Sequence, residues 1–324
     1  MTASGRKLLI LGGGSGIERY KEDIQRLNND KNVDILTYGL SFMYCVNELG
    51  FQPDYHCFVD PVPFLPVYDY IERNIYVTDI KTKFVLLDPL HTQCSYQDFQ
   101  NFYGTTPLGR GICPWPRRTS GHMDPATAWQ WFLDAINNVA EHPRLNNITI
   151  PCTSIKHIDN NPDLYPEFEN FDLTDKDFYL RFQGDKMIMK SQRNPMVNED
   201  KLTGVVLPIT QWLFKDSPLI KEIGIIGFEL KGGRYMWNFD RRFINFFQER
   251  GHSGICDGIP AFAFNYDNNL GLGEALDTTK TYMKLWDEHT NLTKLDLHSV
   301  VEPEYSLLNN YIKYKSIGDF ETND

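Results

Sequence analysis

Gly12-Gly13-Gly14-Ser15-Gly16 follows directly on the apolar run Leu8–Leu11. Glycine lets a backbone approach a ligand closely, and a helix starting after such a turn offers N–H groups and a positive dipole end to an anion. That is the chemistry of a nucleotide or phosphate site; the competing reading is a tight turn between a strand and a helix. The spacing matches neither the Walker A pattern nor a regular GxGxxG. Asp60 and Asp88 each precede a proline where a strand-like run stops. Asp175-x-Asp177 could hold a divalent cation, but it sits in a polar stretch and reads better as a solvated turn. Arg110, Arg117 and Arg118 surround Trp115, a cluster suited to a phosphate-bearing acceptor or equally to an exposed loop with cation–π contacts. His122 in that loop is a second-choice base, and His157 and His298 lie beside strands, where a structural hydrogen bond is expected. No Ser/His/Asp or Cys/His pattern is visible.

These residues need elements to position them. Lys7–Leu11, "NVDILTYGL" (32–40), "PDYHCFVDP" (53–61) and "KFVLLDP" (83–89) read as strands, with helices from about Ile17 and over "SFMYCVNELG" between them. Such alternation predicts a parallel sheet with helices on both faces, with ligands gathering beyond the carboxyl ends of the strands. The glycine turn, Gly39, Asp60 and Asp88 then share one edge. The stretch from about 95 to 200 is rich in Pro, Asn, Asp and aromatics, with a helix over 124–142 and a hairpin over 179–191. Regular alternation returns with "LTGVVLPITQWLFKDSPLIKEIGIIGFEL" (202–230), helix then strand, and Pro208 marks a kink or the true helix start. A helix over 274–290, a strand over 294–300 and a final helix from Pro303 follow.

The expected fold is therefore α/β, modified Rossmann-like, with a mostly parallel sheet. Residues 1–95 and 200–324 would form the nucleotide-binding domain, and 96–199 an inserted subdomain on the acceptor side. Residues 231–273 would form an aromatic-rich lid, whose "KGGRYMWNF" sets two glycines beside Tyr235 and Trp237. The 32 basic and 43 acidic residues leave a net charge of −11, which argues against an electrostatic hold on nucleic acid or anionic lipid. No run approaches the roughly twenty apolar residues of a membrane span. The six cysteines include no CxxC pair, so zinc ribbons and a disulfide framework are disfavoured and a reduced, cytoplasmic protein is expected.

Four pieces in order, "KLLILGGGSG", "DILTYGLSF", "PDYHCFVDP" and "LTGVVLPITQWLFKDSPLIKEIGIIGFEL", resemble a small α/β superfamily. It contains the bacterial sialyltransferases of glycosyltransferase family 42 and the motility-accessory-factor and pterin-pyrophosphokinase-like proteins. The resemblance covers about residues 6–90 and 200–310. It implies that Gly12, Gly13 and Gly14 approach nucleotide phosphates, and that Gly39 and Asp60 lie by the nucleoside. It further implies Thr203-Gly204 by the base or ribose, Glu229 on the ribose hydroxyls, and Tyr235 on a donor phosphate oxygen. The sialyltransferases carry asparagine where this chain has Gly13 and Gly39. The family's catalytic histidine lies just before the late helix, where "FNYDNNLGLG" (264–273) has none; His252 is the nearest substitute.

The resemblance implies a glycosyltransferase that moves a sugar from a nucleotide-sugar donor to a hydroxyl acceptor, glycan before modified nucleobase. Its catalytic residues would be His252, Tyr235 and Asp60, with no dedicated metal ligands and no firmly implied cofactor; a divalent metal is not favoured. The alternatives are a pyrophosphokinase-like phosphotransferase using ATP and Mg²⁺, and a nucleotide-binding protein without catalysis.

Overall fold

The structure, a computed structural model, describes residues 5–57, 61–87, 134–166, 180–183, 186–189, 202–217, 219–229 and 295–321. Leu8–Leu11 carry no polar side chain because the strand they form, β1 (Arg6–Leu11), is covered on both faces, the usual condition of a parallel strand. Leu8 and Ile10 join one core with Leu36, Tyr38, Ile223, Ile225 and Val205–Leu207. Leu9 and Leu11 join another with Ile24, Leu27, Ile226, Val300 and Phe320. The alternation of the pleat thus divides a uniformly apolar run between two helical layers.

The further strands are β2 (Val33–Tyr38), β3 (Tyr55–Cys57), β4 (Lys83–Leu87), β5 (Ile148–Ile150), β6 (Cys152–Ser154), β7 (Leu180–Gln183), β8 (Lys186–Met189), β9 (Ile220–Ile226), β10 (Asp296–Ser299) and β11 (Lys313–Tyr314). Eight of them form one sheet in the order β11-β10-β9-β1-β2-β3-β4-β5, every pair parallel. The chain builds outward from β1 through β2 to β5, then returns to β9 on the other flank of β1 and continues to β10 and β11. This is the doubly wound, Rossmann-like α/β arrangement. Its order reverses between β1 and β9, the place where such folds open a ligand crevice.

Helices α1 (Lys21–Asn28), α2 (Ser41–Tyr44, continued as a wider turn through Leu49) and α3 (Pro61–Asn74) link the first strands. The expected helix at 202–214 is present in two parts, a wide turn at Leu202–Val206 and an α-helix at Leu207–Phe214. Pro208 lies in the first turn of that α-helix, where the wide turn gives way to it.

Residues 148–150, within the stretch read as an insertion, pair with β4 and so extend the parallel sheet. Pro151 then passes the chain to a three-stranded sheet, β6-β8-β7, which holds the expected hairpin of β7 and β8. The final helix does not start at Pro303. Turns occupy 303–305, Ser306 accepts the Leu308 N–H at 3.2 Å to cap a short 3₁₀ turn, and the terminal helix is Ile317–Glu321. Among the described residues no helix is long and apolar enough to cross a membrane.

The amino half of the sheet carries a partly buried ionic cluster. Glu222 on β9 meets Lys7 at 3.3 Å, Lys315 at 2.6 Å and His298 at 3.5 Å, and His298 also meets Asp296 at 2.9 Å. His298 is thus a structural residue, as its place beside a strand implied.

Candidate functional site at the strand-order reversal

The turns leaving β1 and β9 lie side by side because the two strands pair in register, Leu11 opposite Ile226. The Gly12 N–H donates to the Ile226 carbonyl at 2.8 Å, and the Gly14 N–H to the Gly227 carbonyl at 2.9 Å. Gly227 has φ 83°, a conformation that a side chain would strain. A Cβ on Gly227 would also lie 2.8 Å from the Gly12 carbonyl carbon. The two turns are therefore interlocked backbone to backbone.

Glu229 completes the lock. Its Oε1 accepts the Gly227 N–H at 2.7 Å. A Cβ on Gly14 would overlap Glu229 Oε2 and stand 2.9 Å from the Gly227 carbonyl oxygen. A Cβ on Gly16 would overlap Oε1 and stand 2.8 Å from the carboxyl carbon of Glu229. On Gly12 it would overlap the Gly227 carbonyl and meet the Phe228 ring at 2.5 Å. Each of these three glycines thus lies against a neighbour on the β9 turn, Gly12 and Gly14 against its backbone and Gly16 against the Glu229 side chain alone. Burial pushes the Glu229 carboxyl above the usual carboxylate range, opposed by its own N–H, the Gly227 N–H and the positive charge of Arg19.

The loop after β10 closes the third side. The Leu307 N–H donates to the Glu229 carbonyl at 2.8 Å, and the Ser306 hydroxyl approaches the same oxygen at 3.3 Å. Tyr20 donates to a Glu302 carboxylate oxygen, and Arg19 stacks on the Tyr305 ring, 3.3 Å from its centre. On the β2 side, Ser41 Oγ accepts the Tyr38 N–H at 3.0 Å and lies 2.8 Å from the Leu11 and Tyr38 carbonyl oxygens. The first turn of α2 is thereby tied to the end of β1. The Tyr38 ring lies 6.4 Å from that of Phe228.

Of the residues expected at the site, Gly12, Gly13 and Gly14 lie in the turn, and Gly12 and Gly14 meet the turn that carries Glu229. Gly39 is on the same edge, with φ 64° and its N–H directed at the Cys57 carbonyl, 3.4 Å away. Gly204 is buried in the wide turn Leu202–Val206 beside Thr203; neighbouring Val205 and Val206 share a core with Tyr38 and Phe228. Asp60, Tyr235 and His252 lie outside the described residues, as do the segment 231–273, Asp175, Asp177, His122 and the Arg110–Arg118 cluster. Comparison with known families, characterised proteins and solved structures finds no significant match.

Sequence reasoning passed over Arg19, Tyr20, Ser41, Glu302 and Tyr305. Arg19 and Tyr20 carry a faint signal, since they directly follow the glycine turn. Glu302 and Tyr305 carry none, because only the pairing of β10 with β9 brings their loop to this edge. The described cysteines Cys45, Cys57 and Cys152 are buried. Burial pushes the Cys45 and Cys57 thiols up, so neither forms a thiolate nucleophile near neutral pH.

Proposed function

We propose that the protein is a glycosyltransferase that uses a nucleotide-sugar donor bound at the edge where β1 and β9 part. The observation that carries this reading is the Glu229 carboxyl, seated at the strand-order reversal and enclosed by the glycine turn. A carboxyl group there, held partly by backbone N–H groups and raised in pKa by burial, is matched to hydroxyl groups of a ribose or sugar. It would repel an anion placed on the same spot. The resemblance to the sialyltransferase and pyrophosphokinase-like superfamily supplies the reaction class. In that reading Tyr235 donates to the departing phosphate, His252 or Asp60 takes the acceptor proton, and Thr203-Gly204 faces the base or ribose. The acceptor offers a hydroxyl, and a glycan fits the resemblance best.

A thermal-shift screen against CMP-, UDP- and GDP-sugars and against ATP with and without Mg²⁺ tests the reading, because a ligand that binds only the folded state raises its apparent stability. Stabilisation by a nucleotide-sugar supports it. Stabilisation by ATP with Mg²⁺ alone replaces it with a phosphotransferase.

A further inference from the structure

Two of the glycine-turn donors are already committed and cannot serve a phosphate cradle. The Gly12 and Gly14 N–H groups are directed at carbonyls of the β9 turn, and the space above Gly14 and Gly16 is filled by a carboxyl group. An anionic ligand that reaches this edge needs another partner. Among the described residues, Arg6, Arg26 and Arg73 are each in an ion pair, with Asp34, with Asp23 and Glu321, and with Asp69. Arg144 stacks on Tyr76 but precedes β5, at the amino edge of the sheet. Arg19 differs from all of these. It follows the glycine turn at the carboxyl edge, is exposed, and among the described residues has no carboxylate within ion-pair distance. Its guanidinium is held flat on Tyr305, whose side is 43% exposed. Of the two acids whose charge it meets, Glu302 is occupied by the Tyr20 hydroxyl and Glu229 by the Gly227 N–H.

We infer that Arg19, oriented by Tyr305, binds the phosphate of the nucleotide ligand at this edge, in place of the Gly12 and Gly14 N–H groups. The inference rests on the nucleotide reading of the site and names the contact that distinguishes a nucleotide from its nucleoside. A planar guanidinium pre-oriented on an aromatic ring presents its N–H edge to a phosphate at little cost in side-chain freedom. With Glu229 facing hydroxyls and Arg19 facing the anion, the edge separates the two halves of a nucleotide by charge.

The test is calorimetric titration with CMP, UMP, GMP and AMP and with the four parent nucleosides. For whichever base the wild type binds, the nucleotide should bind more tightly than the nucleoside, and the excess should fall as salt is raised. Arg19→Gln should weaken the nucleotide roughly tenfold to a hundredfold, the range of a charged hydrogen bond, and leave the nucleoside unchanged. Tyr305→Leu should weaken the nucleotide by roughly twofold to fivefold, since the charge stays and only its orientation is lost. Arg19 is exposed, so its variant folds; circular dichroism melting checks this. If Arg19→Gln keeps the full preference for nucleotide, or weakens nucleotide and nucleoside equally, the phosphate assignment is wrong and the nucleotide reading stands. If the wild type binds neither a nucleotide nor a nucleoside, both are wrong.

Discussion

Replacing the turn glycines one at a time by alanine, with and without the Glu229 carboxyl, yields a graded result that follows from what each new Cβ would meet. At Gly16 all the nearest atoms belong to Glu229, so the carboxyl group can swing away and the penalty is the hydrogen bond it gives up at the Gly227 N–H, about 1–2 kcal/mol. Alanine also stiffens the unfolded chain, which returns about 0.4–1 kcal/mol. The net loss for Gly16→Ala is therefore about 1.6 kcal/mol or less by these two opposing effects. At Gly12 the obstacles are the Gly227 carbonyl and the Phe228 ring, neither of which can leave, and overpacking costs about 1–3 kcal/mol. Gly14 is intermediate, since Glu229 Oε2 can move but the Gly227 oxygen at 2.9 Å cannot. In a Glu229→Ala background the order sharpens. Gly16→Ala becomes stabilising by about 0.4–1 kcal/mol, Gly14→Ala is partly rescued, and Gly12→Ala costs as much as before. Urea unfolding at constant m-value reads each difference from the midpoint. Equal rescue of Gly12→Ala and Gly16→Ala, or no rescue of Gly16→Ala, would refute the interlock.

Two buried groups give opposite pH signatures. His56 is wholly buried beside Thr37 Oγ1 (2.9 Å) and the Phe42 and Phe84 rings, and burial pushes its pKa down to about 3 from an ordinary 6.5. The unfolded chain takes up that proton first, so stability falls as pH drops from 6.5 towards 3, by up to about 1.4 kcal/mol per pH unit; His56→Phe should flatten this part of a stability-versus-pH curve. Glu229 is raised instead, so the folded state keeps its proton longer and stability falls as pH rises from the ordinary carboxylate range through the folded value; Glu229→Gln should abolish that fall. Thr203→Asp puts a negative charge in the wide turn Leu202–Val206 and should sharply weaken donor binding in calorimetry, with circular dichroism melting to separate this from a loss of fold. Tyr235→Phe should slow sugar transfer by the equivalent of about 2.7–4 kcal/mol, the worth of one donor to a developing charge, with unfolding midpoints unchanged. His252→Ala should remove the base; an unchanged transfer rate would shift that role to His122, Glu229 or Asp60.

The sheet was legible where strands are continuous apolar runs ended by turn residues. Leu8–Leu11, Phe84–Leu87 and Ile223–Ile226 have this form, Val33–Tyr38 has it broken by Asp34 and Thr37, and their alternation with helices implied parallel pairing. The short edge strands were not. β5 is three residues between asparagines and Pro151, and β11 is two exposed residues, Lys313 and Tyr314; only neighbours in the sheet make these strands. The helix expected from Pro303 fails because the Ser306 and Leu307 backbone and hydroxyl groups are drawn to the Glu229 carbonyl, more than seventy positions away in sequence. The glycine turn was legible as a close approach. What approaches it was not, since the register of β1 against β9 decides that Glu229 fills the space above Gly14 and Gly16.

The most direct test of the account is calorimetry of the wild type and of Glu229→Ala with the nucleotide-sugar that most stabilises the wild type. At a concentration of about 100 times the Kd such a donor should raise the wild type's stability by about 2.7 kcal/mol, so the complex is easily measured. The account predicts that the wild type binds this donor with one site per chain and that Glu229→Ala, still folded, binds it at least tenfold more weakly. Equal affinity in the two proteins, or no binding of any nucleotide-sugar by the wild type, would contradict it.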